Sequence, residues 1–126
     1  MNKCVLDSSA ILALILNEHG GEVIESMLET GLISSVNLAE VFTKLEEREL
    51  LNSTTISDFG QLGFKIVDFD EKQALQAARL RPLTKYLGLS LGDRSCLALA
   101  ILQNATAVTA DRNWKELSVC PIEVIR

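Results

Sequence analysis

This 126-residue sequence predicts an α/β fold in which a central, mostly parallel sheet is flanked by helices in three layers. Two observations predict it. Short apolar runs carrying β-branched residues alternate along the chain with helix-length segments, and 48% hydrophobic against 23% charged residues is a composition that buries a sizeable core in one domain, taken here as 1–126.

The elements follow in order. Residues 3–6 read as a buried strand, and residues 8–16 follow at once as a helix, with Ser8 as its cap after Asp7. Gly20-Gly21 is a break, after which 22–29 read as a second short helix. Leu32 and Ile33, entered by Gly31, form a short strand, and Ser34 or Ser35 caps a long helix to about Leu50, whose apolar positions Leu38, Val41 or Phe42, and Leu45 recur at helical spacing. Residues 55–62 suggest a helix, 65–69 a strand and 71–79 a helix, and Pro82 breaks the pattern. The stretch LGDRSCLALAIL opens a helix over 91–103 that is apolar almost all round, hence internal or covered on both sides. Ser90 and Asp93 have the S-x-x-D spacing of a helix start. Residues 105–109 and 122–125 complete the set as strands.

Composition also excludes. The longest apolar runs, residues 10–16 and 96–102, fall far short of the roughly 18 residues that cross a bilayer. The apolar region after Lys3 imitates a signal peptide, but Asp7, Ser8 and Ser9 interrupt it and Asn17-Glu18-His19 is a poor cleavage site, so it reads as folded structure in a cytoplasmic protein. Cys4, Cys96 and Cys120 are odd in number, widely spaced and set among apolar neighbours, which fits buried reduced thiols rather than a disulfide framework or a zinc site. A net charge of −5 argues against a broad basic surface for nucleic acid, though not against a nuclease with a local basic rim.

The fold class makes a functional forecast, because open parallel sheets form sites at the carboxyl ends of their strands. Asp7 follows the first predicted strand directly, and Asp111 stands two residues after Thr109 ends a later one. Asp93 shares a helix face with Leu97 and Ala100, which points it inward. Glu40 is open to two readings: a fourth site acid, or surface decoration in a polar stripe of Asn37, Glu40, Lys44 and Glu47, with Glu40 and Lys44 as an i,i+4 pair. Two carboxylates about 5 Å apart repel by about 3 kcal/mol at an effective dielectric near 20. Several such pairs would rival the ~5–15 kcal/mol that holds a domain together. A converging cluster therefore takes up protons or binds cations, and oxygen ligands without His or Cys suit Mg²⁺ or Mn²⁺. Acid-held Mg²⁺ serves phosphoryl transfer and phosphodiester hydrolysis.

Four segments, CVLDSSAIL, SVNLAEVF, GLSLGDRSCLALA and AVTADRNW, in this order and spacing, resemble PIN-domain ribonucleases, most closely the VapC-type toxins of bacterial toxin–antitoxin pairs. The resemblance extends from about residue 3 to the C-terminus. It implies a PIN-like fold and four acidic positions at Asp7, Glu40, Asp93 and Asp111, with Asp7 and Asp93 the foremost metal ligands and Thr109 the hydroxyl residue before the last acid. It further implies metal-dependent endonucleolytic cleavage of RNA by an activated water, a homodimer, and inhibition by a cognate antitoxin protein. Ser9 is assigned a supporting role. Arg94 and Arg112, each beside a site acid, either bind substrate phosphate or tether neighbouring carboxylates. Arg79, Arg81 and Lys85 with Tyr86 form the one basic and aromatic grouping, either an RNA rim or a solvated loop face. His19 reads as a solvated loop residue, and Trp114 and the phenylalanines as core. Two rival functions are weighed. A phosphatase of the haloacid dehalogenase class needs a second acid two residues after the first, where Ser9 stands. A non-catalytic PIN-like module that binds RNA or a partner would be favoured had one of the four acids been replaced.

Overall fold

A computed structural model describes residues 3–126, so the first two residues of the predicted 1–126 span lie outside it. Five strands form one sheet: β1 (Cys4–Leu6), β2 (Gly31–Ser34), β3 (Lys65–Val67), β4 (Thr106–Thr109) and β5 (Ile122–Val124), in the order β3-β2-β1-β4-β5. All four pairings are parallel, with Val5 beside Leu32 on one side and Ala107 on the other. The expected mostly parallel sheet is therefore wholly parallel.

Seven helices connect the strands: α1 (Ser8–Ile15), α2 (Gly21–Glu25), α3 (Ser35–Glu47), α4 (Ser53–Gly60), α5 (Glu71–Arg79), α6 (Arg81–Thr84) and α7 (Leu91–Leu102). Successive strand residues turn to opposite faces. Val5, Leu32 and Ala107 join the core formed with Ala77, Leu80, Leu97 and Trp114, on the α5–α7 face. Cys4, Leu6, Ile33 and Val108 join Ile11, Ile24, Val41 and Phe59 on the α1–α4 face. Helix α7 is buried from Ser95 to Ala100, covered by the sheet on one side and α5 on the other, as its unpatterned apolar sequence requires.

Several local expectations are corrected. Asp7, not Ser8, is the N-cap of α1, because the residue leaving β1 is still extended (φ −80°, ψ 173°) while Ser8 is already helical. Helix α2 ends at Glu25 rather than running to residue 29. Gly20 before it has φ +94°, and a Cβ on Gly21 would collide with the Ala13 carbonyl, so the Gly-Gly break lets α2 lie directly on α1. Asn52 closes a capping box with Thr55 and starts α4 two residues earlier than expected. Pro82 does not simply interrupt structure: it sits in the first turn of α6, where its missing N–H has no helical partner to lose. A 3₁₀ helix at Arg112–Glu116, unmarked by any sequence period, buries Trp114 against α7.

No helix among the described residues is long and apolar enough to cross a membrane. All three cysteines are free, Cys4 and Cys96 buried and Cys120 half-buried.

Candidate active site

The strand order reverses around β1, with β2 and β3 to one side and β4 and β5 to the other, so a crevice opens at the carboxyl ends of β1 and β4. Asp7 leaves β1 there, its N–H bonded to the Val108 carbonyl of β4 at 3.0 Å. Its carboxylate is 4% exposed and held on both oxygens. Oδ1 accepts from the Ala10 N–H at 2.9 Å and the Ser9 hydroxyl at 2.7 Å, and Oδ2 accepts from the Thr109 hydroxyl at 2.6 Å.

A hydroxyl has one proton, and both are committed to Asp7, so the 3.3 Å approach of the two hydroxyl oxygens is a contact between acceptors. Each hydroxyl in turn accepts a backbone donor: Ser9 Oγ the Ala110 N–H at 2.9 Å, and Thr109 Oγ1 the Asp111 N–H at 3.0 Å. The sequence TAD after β4 thus wraps its backbone around the group that fixes Asp7.

Burial dominates the electrostatics of Asp7. It pushes the pKa up from 3.8 to about 6, against the hydrogen bonds from Thr109, Ala10 and Ser9, and the negative charge of Asp93 adds to the rise. No protein cation answers this charge: the two ion pairs among the described residues, Lys44–Glu47 and Arg126–Glu18, leave Asp7 out.

Asp93 belongs to a capping box at the start of α7. Ser90 Oγ accepts the Asp93 N–H at 3.1 Å, and Asp93 Oδ2 accepts the Ser90 N–H at 3.0 Å. Its Oδ1 has no hydrogen-bond partner among the described residues.

Glu40 is not part of a solvated stripe. Its Oε1 accepts from Asn37 Nδ2 at 2.8 Å, and the same amide nitrogen donates to the Gly92 carbonyl at 3.0 Å, which ties α3 to the first turn of α7. Asn37 is 1% exposed, and a Cβ at Gly92 would strike the Glu40 carboxylate. Lys44, expected opposite Glu40, pairs with Glu47 at 3.7 Å instead. The seat for Glu40 thus depends on two residues, Asn37 and Gly92, that were not singled out as site residues. The N-x-x-E spacing, one helical turn, was the signal available for the first.

The charge of Asp93 acts on Asp7, and Asn37 ties Glu40 to the first turn of α7, which carries Asp93. The buried Cys96 thiol, 3.8 Å from the Val5 carbonyl, is pushed well above its ordinary range by burial first and then by the charge of Asp7, with Asp93 and Glu40 contributing further. Asp111 joins this group through its backbone. Its carboxylate turns to its own 3₁₀ helix, where Oδ1 accepts the Asn113 N–H at 2.9 Å. Among the described residues no group of three or more His, Cys, Asp or Glu side chains is arranged to hold a metal ion.

The arginines do not tether the neighbouring site carboxylates. Arg94 Nη1 donates to the Ala77 carbonyl in α5 at 2.9 Å, and Arg112 Nε donates to the Arg126 carbonyl at 3.1 Å, so neither guanidinium is paired with a neighbouring carboxylate. Arg79, Arg81, Lys85 and Tyr86 are exposed, and His19 is an exposed loop residue. Trp114 is fully buried, and Phe42, Phe59 and Phe64 stack together on the α1–α4 face.

Solved structures share this arrangement of elements at low sequence identity. A toxin–antitoxin complex from Klebsiella pneumoniae contains a chain with TM-score 0.78 and 17% identity, covering 98% of each chain. The DNA-bound VapBC of Salmonella typhimurium gives TM-score 0.75 at 22% identity over all of both chains. The sarcin–ricin-loop-cleaving toxin VapC20 of Mycobacterium tuberculosis gives 0.72 at 16% identity, covering 90% of this chain and 93% of that one. No curated protein sequence matches the chain. The PIN domain model matches residues 4–119, from the first residue of β1 to the loop before β5, and the chain therefore belongs to the PIN-domain family.

Proposed function

We infer that this protein is a divalent-metal-dependent endoribonuclease and the toxin of a toxin–antitoxin pair. The observation that carries the reading is Asp7: a carboxylate buried without a counter-cation among the described residues, restrained on both oxygens, with the charge of Asp93 acting on it. Membership of the PIN-domain family and structural likeness to toxin chains support it.

The donor set fits Mg²⁺ or Mn²⁺. Mg²⁺ keeps several waters and needs only one or two carboxylates plus substrate phosphate oxygens. Asp7 and Asp93, through its unpartnered Oδ1, would hold the ion, with Glu40 and Asp111 in its outer sphere or beside a second one. A bound divalent ion supplies Lewis acidity toward water and neutralises charge on the phosphoryl group. The chain supplies the rest. Ser9 and Thr109 keep the Asp7 carboxylate from rotating, so its one remaining acceptor site, on Oδ2, is held in place for a cation. Asp7, with a pKa of about 6, is largely ionised at neutral pH and gives up its residual protons as a cation enters. Glu40, fixed by Asn37, is placed to orient a water for attack on phosphorus in line with the leaving oxygen.

Purified protein with Mn²⁺ or Mg²⁺ should cleave structured RNA endonucleolytically, and Asp93→Asn should reduce cleavage at least about 100-fold, the scale of a lost electrostatic contact at a reacting centre. Equal cleavage by the Asn variant would reduce Asp93 to a helix cap. The toxin reading predicts slowed growth on expression without a partner and recovery on co-expression of the protein encoded by a neighbouring small reading frame. Unchanged growth at verified levels of active enzyme would make it a housekeeping nuclease. A homodimer is expected by sedimentation.

A further inference from the structure

A nuclease that cuts within a chain must also hold the strand beside the cut, and a molecule of net charge −5 must do so with a local set of cations. Arg79, Arg81, Lys85 and Tyr86, the basic group foreseen upstream of Asp93, line neither of the two clefts that open beside Ser9. Two adjoining clefts are lined differently. One of about 560 Å³ runs between α1 and α3, from Ser8, Ser9 and Glu40 to Lys44 and Glu47. The second, about 170 Å³, continues it, sharing Ser9, Leu12 and Lys44 and adding Leu16, Arg48 and the Arg126–Glu18 pair. Their common wall contains Ser9, the residue that holds Asp7.

We propose that this α1–α3 groove is the track for the RNA strand adjoining the scissile phosphate, with Lys44 and Arg48 as its phosphate-binding cations; the assignment rests on the nuclease reading above. Glu40 and Lys44 lie on α3 and Arg48 is its C-cap; at i, i+4 and i+8 they follow one face, with the cations about 6 and 12 Å along the helix axis from the site acid. Leu12 and Leu16, one turn apart on the opposite wall, give an apolar surface for sugars and base faces. Arg48 is in neither of the two ion pairs among the described residues, and its planar fork suits phosphate oxygens. Lys44 is committed only to Glu47, in a pair whose side chains are 58% and 60% exposed, which phosphate displaces at little cost.

The test separates binding from cleavage. Fluorescence anisotropy of a labelled single-stranded oligoribonucleotide, measured in EDTA so that no chemistry intervenes, should show Lys44→Gln/Arg48→Gln binding about tenfold or more weaker than the parent. The slope of log affinity against log salt should fall by about 1.4, two phosphate contacts on a single strand. Lys44→Arg/Arg48→Lys should restore both. In Mn²⁺ the Gln variant should raise KM for a long oligomer far more than it lowers kcat, with an unchanged melting temperature. Parent-like affinity and salt slope in the Gln variant overturn the groove assignment whether or not the protein cleaves RNA. Groove-dependent binding with no cleavage by the parent supports the track while rejecting the nuclease reading. Polyglutamate that binds the parent as tightly as the oligonucleotide, and loses affinity equally in the Gln variant, overturns the RNA assignment in favour of an acidic polypeptide.

Discussion

Asp7 shows how three residue types decide one ionisation. Its burial outweighs three hydrogen bonds, and the folded pKa of about 6 lies above the ordinary 3.8. The folded chain therefore binds this proton more tightly than the unfolded chain does. The stability linked to it is fully present below about pH 4 and is lost as pH rises through about 6, a difference of about 3 kcal/mol. Metal-free protein should accordingly melt lower at pH 7 than this linkage alone would allow at pH 4.5, and Asp7→Asn should flatten that part of the profile, read by thermal denaturation in EDTA. Thr109→Val removes the donor to Oδ2 and the acceptor for the Asp111 N–H together. It should destabilise the fold by about 1–3 kcal/mol by denaturant titration. At Gly92 the prediction concerns space rather than charge: Gly92→Ala drives a methyl into the Glu40 carboxylate and should impair cleavage while leaving α7 helical by circular dichroism. These dependences were partly legible beforehand. Asp7, Asp93 and Thr109 stood out because a polar residue at the edge of an apolar run needs a reason. Asn37 and Gly92 did not, because one looked like a surface amide and the other like an ordinary helix-start glycine.

At the scale of elements, α7 carries two roles in one turn. Ser90 and Asp93 close a capping box, and the same Asp93 carboxylate leaves its Oδ1 without a hydrogen-bond partner among the described residues. The two roles separate by mutation. Ser90→Ala should lower stability by about 1 kcal/mol through the lost cap and change cleavage little. Asp93→Asn keeps an oxygen for the Ser90 N–H, so it should melt near the parent and lose cleavage. The helix as a whole was legible because a segment apolar on every side has one stable place, between the sheet and another helix. Helix α3 was legible as a helix but not in its orientation. Its sequence presents Asn37, Glu40 and Lys44 as one polar face, and the contact with the start of α7 divides that face, burying Asn37 and leaving Lys44 in solvent. Helix α2 and the 3₁₀ segment around Trp114 are too short to show a period, which is why the first was drawn too long and the second was not drawn.

For the whole molecule, the strand order β3-β2-β1-β4-β5 places β1 and β4 side by side although about a hundred residues separate them in sequence, and that adjacency alone brings Thr109 to Asp7. The acid cluster leaves the metal-free protein with unanswered charge, so Mn²⁺ should raise the melting temperature. The rise should grow between pH 5 and 7 as Asp7 sheds its proton, and should vanish in Asp7→Asn; a pH-independent rise would place the ion elsewhere. The sequence by itself determined the alternation of strands and helices, the two-sided burial of the sheet, and which acids stand at strand and helix ends, because burial periodicity and capping are local and short-range. Tertiary structure alone decided which of those acids meet, which arginines are tied to backbone carbonyls instead, and that Asn37, Gly92, Lys44 and Arg48 shape the approach to them. Such contacts depend on packing between segments distant in the chain, where the missing Cβ of Gly92 settles whether the Glu40 carboxylate has a seat.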